Sequence, residues 1–238
     1  MLEVQHQQQL LNNNWFAKLP QAYQQYIVQH AKYINVAKDQ AVFRSGDLFD
    51  GIYAVLNGAI RLGHVDIEGK EAVAAIAEPI MWFGEISLID QQPRSHDAIA
   101  IQKSTLLHLP KRDVEAFIQA TPEFWFHIAQ LASQKLRLAF LELIAIQSQN
   151  ISQRLAQRLL FILSGYGNHL SITNDEIHLS QEQLAQMLMC SRQTINQELQ
   201  NLEKQGILAI AFKKIKILDP ARLHRIAHSS ESTIKCAP

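Results

Sequence analysis

The sequence predicts an α+β fold, in which a β-rich N-terminal domain and a C-terminal domain of helices and a hairpin are joined by a long helix. Short β-prone runs separated by turn residues fill the chain from Asn35 to Leu109. The stretch between Pro122 and Ser148 is dense in apolar residues and contains no Gly or Pro. Two helical segments with N-cap residues and a β-hairpin pattern then lie between Leu179 and Leu218.

Length and composition agree with this division. A chain of 238 residues with 47% hydrophobic residues suits two packed domains. We predict boundaries at 1–118 for the β-rich N-terminal domain, 119–148 for the long helix and 149–238 for the C-terminal domain. No apolar run is long enough to span a bilayer, and the Gln-rich N-terminus lacks a secretory signal. Because Cys190 and Cys236 cannot form a disulfide framework, we expect the cytoplasm.

The overall charge is balanced, but the two parts of the chain differ in sign. Residues 1–149 carry 12 Lys+Arg and 15 Asp+Glu, a net charge of −3. Residues 150–238 carry 10 and 7, a net charge of +3. An excess of cations in the C-terminal domain suits a phosphate backbone, although ordinary fluctuation accounts for it equally well.

The N-terminal domain begins with a Gln-rich segment that we interpret as frayed or loosely helical, followed by a helix predicted from about Trp15 to Tyr33. The β-prone runs that follow are bounded by turn residues. Asn57-Gly58 lies between two such runs and predicts a β-hairpin. The other turn signals are Ser45-Gly46-Asp47 and Glu68-Gly69. Several short strands at this spacing indicate an all-β roll or barrel.

The long helix has two apolar stripes. One consists of Ile128, Leu131, Leu138, Leu141 and Ala145, and the other of Leu136, Phe140 and Leu143. A helix that is apolar on two faces must be covered on both. We predict that one face packs on its own β domain and the other on the same helix of a second subunit, giving a homodimer. The alternative is a helix that is buried entirely within one chain.

The C-terminal domain predicts a helix-turn-helix. Ser180 followed by Gln183 forms a capping-box pattern that opens the first helix. Ser191 is the N-cap of a second helix, which is predicted from Arg192 to Lys204 and ends at Gly206. Cys190, in the turn, is interpreted as a small packed residue rather than a redox switch.

The second helix predicts a DNA-reading face. Ile195, Leu199 and Leu202 form one apolar stripe, and the other side is almost free of acidic residues. Amide side chains pair with adenine and Arg pairs with guanine in the major groove. A basic hairpin follows, in which Lys213 and Lys214 suit contacts to phosphates. The predicted DNA-binding residues are Ser191, Arg192, Gln193, Asn196, Gln197, Gln200, Lys213 and Lys214.

From about Phe16 to Leu223 the chain resembles the catabolite-activator/fumarate–nitrate regulator (CRP/FNR) family. Three stretches carry the resemblance, in this order and spacing: Phe43–Gly58, Phe83–Ser95 and Leu184–Ile195. The resemblance implies a cyclic-nucleotide-binding β-roll, a dimerisation helix and a C-terminal winged helix-turn-helix. The implied partners are operator DNA and a second copy of the chain, with RNA polymerase as a further candidate.

The middle stretch resembles the phosphate-binding cassette of that family. Gly84 and Glu85 would open a short helix with free N–H groups facing an anion, and Arg94 would hold a cyclic phosphate. The resemblance implies that Glu85 accepts a ribose hydroxyl and that Ser95 bonds a phosphate oxygen. The alternative is that Glu85 and Arg94 form a structural ion pair with each other.

The cassette also departs from the pattern of the nucleotide-binding members. His96 and Asp97 stand where a small residue and Thr are usual, and a carboxylate there would repel a phosphate unless it is paired or turned away. Ala139 and Phe140 stand on the long helix where the catabolite activator has two hydroxyl residues. A cyclic nucleotide, another small effector and no effector at all therefore remain open.

The remaining residues argue against other chemistries. Two isolated cysteines cannot bind the iron–sulfur cluster of the oxygen-sensing members. His224 and His228 lack further ligands, so we predict no metal site. No P-loop or catalytic triad order is present, so we predict that the protein is not an enzyme. The alternative function is a cyclic-nucleotide-binding regulatory module that acts on a protein partner.

Overall fold

The computed structural model of the chain describes residues 2–65, 68, 71–166, 175–211 and 214–229. They form two compact units. The first is built from residues up to Phe140 together with residues 164–166, and the second from Leu141–Leu163 and the described residues from Asp175 on. No helix in these ranges is long and apolar enough to cross a membrane.

The first unit is a β-roll flanked by helices. Its helices are α1 (Val4–Leu10), α2 (Gln21–His30), α3 (Ile86–Asp90), α4 (Lys111–Ala120) and the greater part of α5 (Phe124–Ser148). Its strands are β1 (Lys32–Val36), β2 (Ala41–Phe43), β3 (Gly51–Asn57), β4 (Ile60–Val65), β5 (Glu71–Ala77), β6 (Trp82–Phe83), β7 (Asp97–Ala100) and β8 (Ser104–Pro110). The strands form two antiparallel sheets, in the orders β1-β8-β3-β6 and β2-β7-β4-β5. The predicted roll is confirmed.

The Asn57-Gly58 hairpin prediction is wrong, because β3 and β4 belong to different sheets. The chain crosses from one sheet to the other at this point. Gly58 has φ +93°, and a Cβ there would lie 2.2 Å from the Ser104 Oγ atom. The glycine thus permits a close approach of the β3–β4 connection to the start of β8. The Glu68-Gly69 signal does lie in a hairpin, since β4 and β5 pair up to Val65 and Glu71, although Gly69 lies outside the described residues.

The helix predicted from Trp15 to Tyr33 is divided in the structure. A 3-10 turn covers Phe16–Lys18, Leu19 is extended, and α2 begins after Pro20. Proline holds the preceding residue in an extended conformation, so one continuous helix cannot form. Tyr33 lies in β1, opposite Leu107. The Gln-rich start forms α1, whose Leu10 is fully buried.

Helix α5 is covered on one side only. Of its first stripe, Ile128, Leu131 and Ala145 are buried in the chain and Leu138 is half-buried, whereas Leu141 is 40% exposed, so the prediction is wrong at Leu141. The second stripe is exposed within one protomer, with Leu136 at 58%, Phe140 at 57% and Leu143 at 55%. The alternative of a helix buried entirely within one chain is therefore wrong.

The second unit is a winged helix-turn-helix. Besides the last turns of α5 it contains α6 (Ile151–Leu163), β9 (Glu176–Ile177), α7 (Gln181–Leu188), α8 (Arg192–Lys204), β10 (Leu208–Ala211), β11 (Lys214–Ile217) and α9 (Pro220–Ala227). The strands form an antiparallel sheet in the order β10-β11-β9. The structure confirms the predicted α7, α8 and hairpin.

Candidate effector site and nucleic-acid interface

Arg94 lies at the centre of the cassette, between α3 and β7, and its side chain points into the protein. Only 3% of the residue is exposed. The guanidinium donates hydrogen bonds to the Gly84 and Gly51 carbonyl oxygens, both at 2.7 Å, and contacts Asp50 Oδ1 at 2.5 Å. It also lies 4.2 Å from the centroid of the Phe43 ring, a favourable cation–π contact. Arg94 is thus held on several sides by the chain itself.

Gly84 permits this approach. Its φ is +95°, which favours glycine, and a Cβ at this position would lie 3.0 Å from the Arg94 Nη1 atom. The same Cβ would lie 3.3 Å from the Gly51 carbonyl oxygen. A side chain here would displace the guanidinium, so the glycine serves the position of Arg94 as well as the start of α3.

Glu85 is almost completely buried, with 1% exposed, and its carboxylate pairs with Lys135 Nζ of α5 at 2.6 Å. The alternative of a Glu85–Arg94 ion pair is therefore wrong, since Glu85 pairs with Lys135 and Arg94 with Asp50. The ion pair fixes the cassette to α5.

The residues after Arg94 have separate environments. Ser95 is exposed, and its hydroxyl shares a 2.9 Å hydrogen bond with His96 Nδ1. Burial lowers the pKa of His96, and the positive charge of the nearby Lys135 lowers it further. Asp97 is buried in β7 and accepts a hydrogen bond from the Ser45 backbone N–H at 2.8 Å. The Asp97 carboxylate, which departs from the family pattern, is therefore hydrogen-bonded within the roll.

The cassette has the chemistry to receive an anion. The Arg94 Nε atom is buried and has no hydrogen-bond partner in the described structure. A donor in this state is one that an acceptor atom of a ligand could satisfy. Against this, Asp50 already faces the guanidinium, and its other carboxylate oxygen accepts a hydrogen bond from the Tyr53 hydroxyl. Burial, followed by the hydrogen bond to Asp50, raises the pKa of Tyr53.

Sequence reasoning missed Asp50 and Lys135. Lys135 carried a usable signal, since it stands on the buried stripe of α5 at helical spacing from Ile128, Leu131 and Leu138. A cation on a buried stripe needs a partner, which is Glu85. Asp50 precedes a strand and gave no comparable signal.

The predicted helix-turn-helix has the caps that its sequence implied. Ser180 and Gln183 form a complete capping box at the start of α7, and Ser191 accepts a hydrogen bond from the Thr194 backbone N–H at the start of α8. Met189 makes the turn in a left-handed conformation, with φ 53° and ψ 45°. The turn is therefore formed by a non-glycine residue under backbone strain.

Helix α8 has one buried and one exposed side. Ile195, Leu199 and Leu202 are buried in the interior of the second unit. The exposed residues of the predicted DNA-reading face are Arg192, Gln193, Gln197 and Gln200. Their amide and guanidinium groups are available on one side of the helix that begins with Arg192.

Two predicted contact residues have local roles. Asn196 is half-buried and accepts a hydrogen bond from Gln181 Nε2 at 3.1 Å, which ties α7 to α8. The Ser191 hydroxyl accepts the capping hydrogen bond and also contacts the Thr194 hydroxyl at 2.8 Å.

The wing is the antiparallel pair β10–β11, in which Ala211 lies opposite Lys214. Lys214 pairs with Glu176 at 2.6 Å, so part of its charge is neutralised within the unit. Arg192 and Lys214 both line a groove of about 310 Å³ between the helices and the wing. Lys213 lies outside the described residues.

Among the described residues, no group of three or more His, Cys, Asp or Glu side chains is placed to hold a metal ion. His224 and His228 contact each other, with ring centroids 4.3 Å apart. Cys190 is half-buried in the turn between α7 and α8, and burial raises the pKa of its thiol.

A β-roll that contains a cassette with donors for an anion, followed by a winged helix-turn-helix, defines a class of DNA-binding regulator. The model of the cyclic nucleotide-binding domain matches residues 33–121, and that of the Crp-like helix-turn-helix domain matches residues 153–226.

Relatives of known function match most of the chain. The cyclic AMP receptor protein of Thermus thermophilus is 32% identical over 187 residues, which cover 78% of this chain and 83% of that protein. A CRP-like cAMP-activated global transcriptional regulator of Mycobacterium tuberculosis is 26% identical over 198 residues, covering 82% and 87%. The solved structure of a CRP/FNR-family regulator of Thermus thermophilus superposes with a TM-score of 0.64 at 26% identity, covering 83% of this chain and 99% of that one. The chain belongs to the CRP/FNR family of transcription regulators.

Proposed function

We propose that the protein is a homodimeric, sequence-specific regulator that inserts α8 into the major groove of operator DNA. The observation that carries the proposal is the exposed row of Arg192, Gln193, Gln197 and Gln200, which lies opposite a fully buried stripe. An exposed helix face with amides and a guanidinium near its N-terminal end suits base reading. The protein would act by binding, without catalysis. RNA polymerase is a further candidate partner without assigned contact residues.

The second stripe of α5 supports the homodimer. Leu136, Phe140 and Leu143 recur at spacings of four and three residues, as in a coiled-coil seam, and Ile144 extends the same face at 58% exposed. Exposed apolar side chains of this size in a continuous row mark an interaction surface. The same helix of a second copy fits it, because a two-fold axis along α5 places identical rows against each other.

The cassette supports a small anionic effector. The partnerless Arg94 Nε, the nearby Lys135 ammonium and the exposed Ser95 hydroxyl are donors that a phosphate or carboxylate would accept from. A cyclic nucleotide is the first candidate, because the domain matched is cyclic nucleotide-binding. Ala139 and Phe140 add no polar group toward a base. An effector would act by binding one arrangement of the α5 pair better than another.

The DNA-reading role is tested with a duplex selected from a random pool by the wild-type protein. We expect Arg192→Ala to weaken binding to the selected duplex by about tenfold or more, since one bidentate base contact contributes about 1–3 kcal/mol. Binding to random duplexes at the same salt concentration should fall much less. Lys204→Ala is the matched control, because Lys204 is an exposed cation at the far end of α8. Equal losses on both duplexes would refute base reading by Arg192.

A further inference from the structure

The junction between α5 and α6 is a short polar segment. Helix α5 ends at Ser148, α6 begins at Ile151, and neither Pro nor Gly lies between them. Asn150 and Gln153 cap each other: the Gln153 N–H donates to Asn150 Oδ1 at 3.0 Å, and the Asn150 N–H donates to Gln153 Oε1 at 2.9 Å. The start of α6 is therefore fixed by one reciprocal pair of hydrogen bonds.

Gln153 also holds the end of α9. Its amide nitrogen donates to the Ser229 carbonyl oxygen at 2.5 Å and lies 3.3 Å from the Ser229 hydroxyl. The residue is 8% exposed, so these hydrogen bonds are shielded from water. The carbonyl end of the Gln153 side chain thus serves the junction, and its amino end serves α9.

The other end of α9 is fastened to the end of α8. The Arg222 guanidinium donates to the Gln205 carbonyl oxygen at 2.9 Å, at the C-cap of α8. Just before α9, the backbone N–H groups of Leu218 and Asp219 both donate to the Ile207 carbonyl oxygen. Leu223 and Ala227 are buried on the inner side of α9.

We propose that α9 is a strut between the α5–α6 junction and the recognition helix α8, with Gln153 and Arg222 as positioning residues at its two ends. The inference rests on the proposed function and concerns how α8 is held for operator binding. A helix that is hydrogen-bonded at one end to the junction and at the other to α8 transmits a displacement of either one to the other. All of these contacts lie within the second unit.

Gln153→Glu separates the two roles of this side chain. The carboxylate keeps an acceptor for the Asn150 N–H, but it loses the donor and faces the Ser229 carbonyl oxygen. We expect the full-length protein to bind its selected operator about tenfold more weakly, the equivalent of about 1.4 kcal/mol. Hydrogen exchange should become faster in α9 and at residues 205–207 but not in the β-roll, and the unfolding temperature should fall, because the carboxylate lies in a buried site without a donor for its second oxygen. The exchange measurement needs no DNA, so it judges the strut even if the wild-type protein binds no duplex.

Ser152→Glu is the matched control for charge. It adds the same negative charge one residue away, in the first turn of α6, where an acidic residue is favourable. Operator affinity and exchange in α9 should remain at wild-type values, apart from a small electrostatic loss on all duplexes.

Arg222→Gln removes the guanidinium that contacts the Gln205 carbonyl oxygen at the other end of the strut. Arg222 is partly exposed, so this change carries little risk to folding. If α9 works as one unit, the double variant Gln153→Glu/Arg222→Gln loses no more operator affinity than whichever single variant has the larger loss. Additive losses would contradict the strut. So would unchanged exchange at residues 205–207 in Gln153→Glu, or the same loss of affinity in Ser152→Glu.

Discussion

Single residues decide whether the cassette is free to take a ligand. Arg94 is the residue that the family resemblance assigns to a phosphate, yet its guanidinium already faces Asp50 and two carbonyl oxygens. An incoming anion must compete with that carboxylate. The affinity for the proposed anionic effector would therefore depend on Asp50 as well as on Arg94.

We expect Asp50→Asn to bind an anionic effector more tightly than the wild type, by about tenfold if one charge contact is released. The ligand-free variant should melt at a lower temperature, because Arg94 then lacks its counter-ion. Calorimetry with cyclic mononucleotides on the wild type, Asp50→Asn and Arg94→Ala measures this, and Arg94→Ala should lose binding. Weaker binding by Asp50→Asn would mean that Asp50 positions Arg94 instead of competing for it. No heat with any of the three proteins would point to another effector or to none.

Met189 is a residue whose backbone conformation works against its side chain. It is 79% exposed and left-handed, so a glycine would lose little packing and would remove the strain. We expect Met189→Gly to raise the free energy of unfolding by up to about 1 kcal/mol, as measured by urea denaturation. Met189→Ala removes the same side chain but keeps the left-handed strain, so it should give no gain. A comparable gain in both variants would trace the effect to the methionine side chain and not to the backbone.

At the scale of elements, the two faces of α5 have different surroundings. The buried face holds the β-roll and, through Lys135, the cassette. No element among the described residues of one protomer covers the exposed face. One helix thereby connects the candidate effector site with the proposed dimer contact.

We expect Phe140→Glu to convert the dimer into a monomer, because it places two carboxylates opposite each other in an apolar seam. Sedimentation velocity measures this, and operator affinity should fall together with dimer formation. Phe140→Leu is the control that keeps an apolar side chain and should remain dimeric. A dimer that survives Phe140→Glu would place the subunit contact elsewhere on the molecule.

At the scale of the whole molecule, we expect the carboxyl of Glu78 to contribute to a pH dependence of stability near neutrality. Burial raises the pKa of Glu78 from its ordinary value of 4.5 to about 7. The folded state then binds the proton more tightly than the unfolded state, so stability is highest below pH 4.5 with respect to this group. That contribution is lost as the pH rises through about 7.

Glu78→Gln should flatten this dependence, because the amide stays neutral at every pH. The unfolding temperature of the variant should exceed that of the wild type at pH 8 and approach it at pH 5. Glu123→Gln, at an exposed glutamate, serves as the control and should leave the pH profile unchanged. An unchanged profile in Glu78→Gln would assign the pH dependence to other groups.

The elements with strong local signals followed from the sequence alone. The capping box at Ser180, the cap at Ser191 and the apolar stripe of α8 depend on neighbours within a few residues, and all are confirmed. Most of the two-faced pattern of α5 also followed from helical spacing, which assigns each side chain to a face, although Leu141 of the first stripe is exposed. Local chemistry and periodicity were sufficient for these features.

The tertiary structure decided what depends on distant partners. The turn signal at Asn57-Gly58 marks a change of chain direction, but only the pairing of β4 with β5 and β7 shows that the chain crosses to another sheet. Likewise the sequence brings Glu85 and Arg94 into one cassette, whereas Lys135 and Asp50 become their partners only through the packing of α5 and of the loop before β3. The physical reason is that the two ion pairs join residues 44 and 50 positions apart, a separation at which sequence patterns carry no geometry.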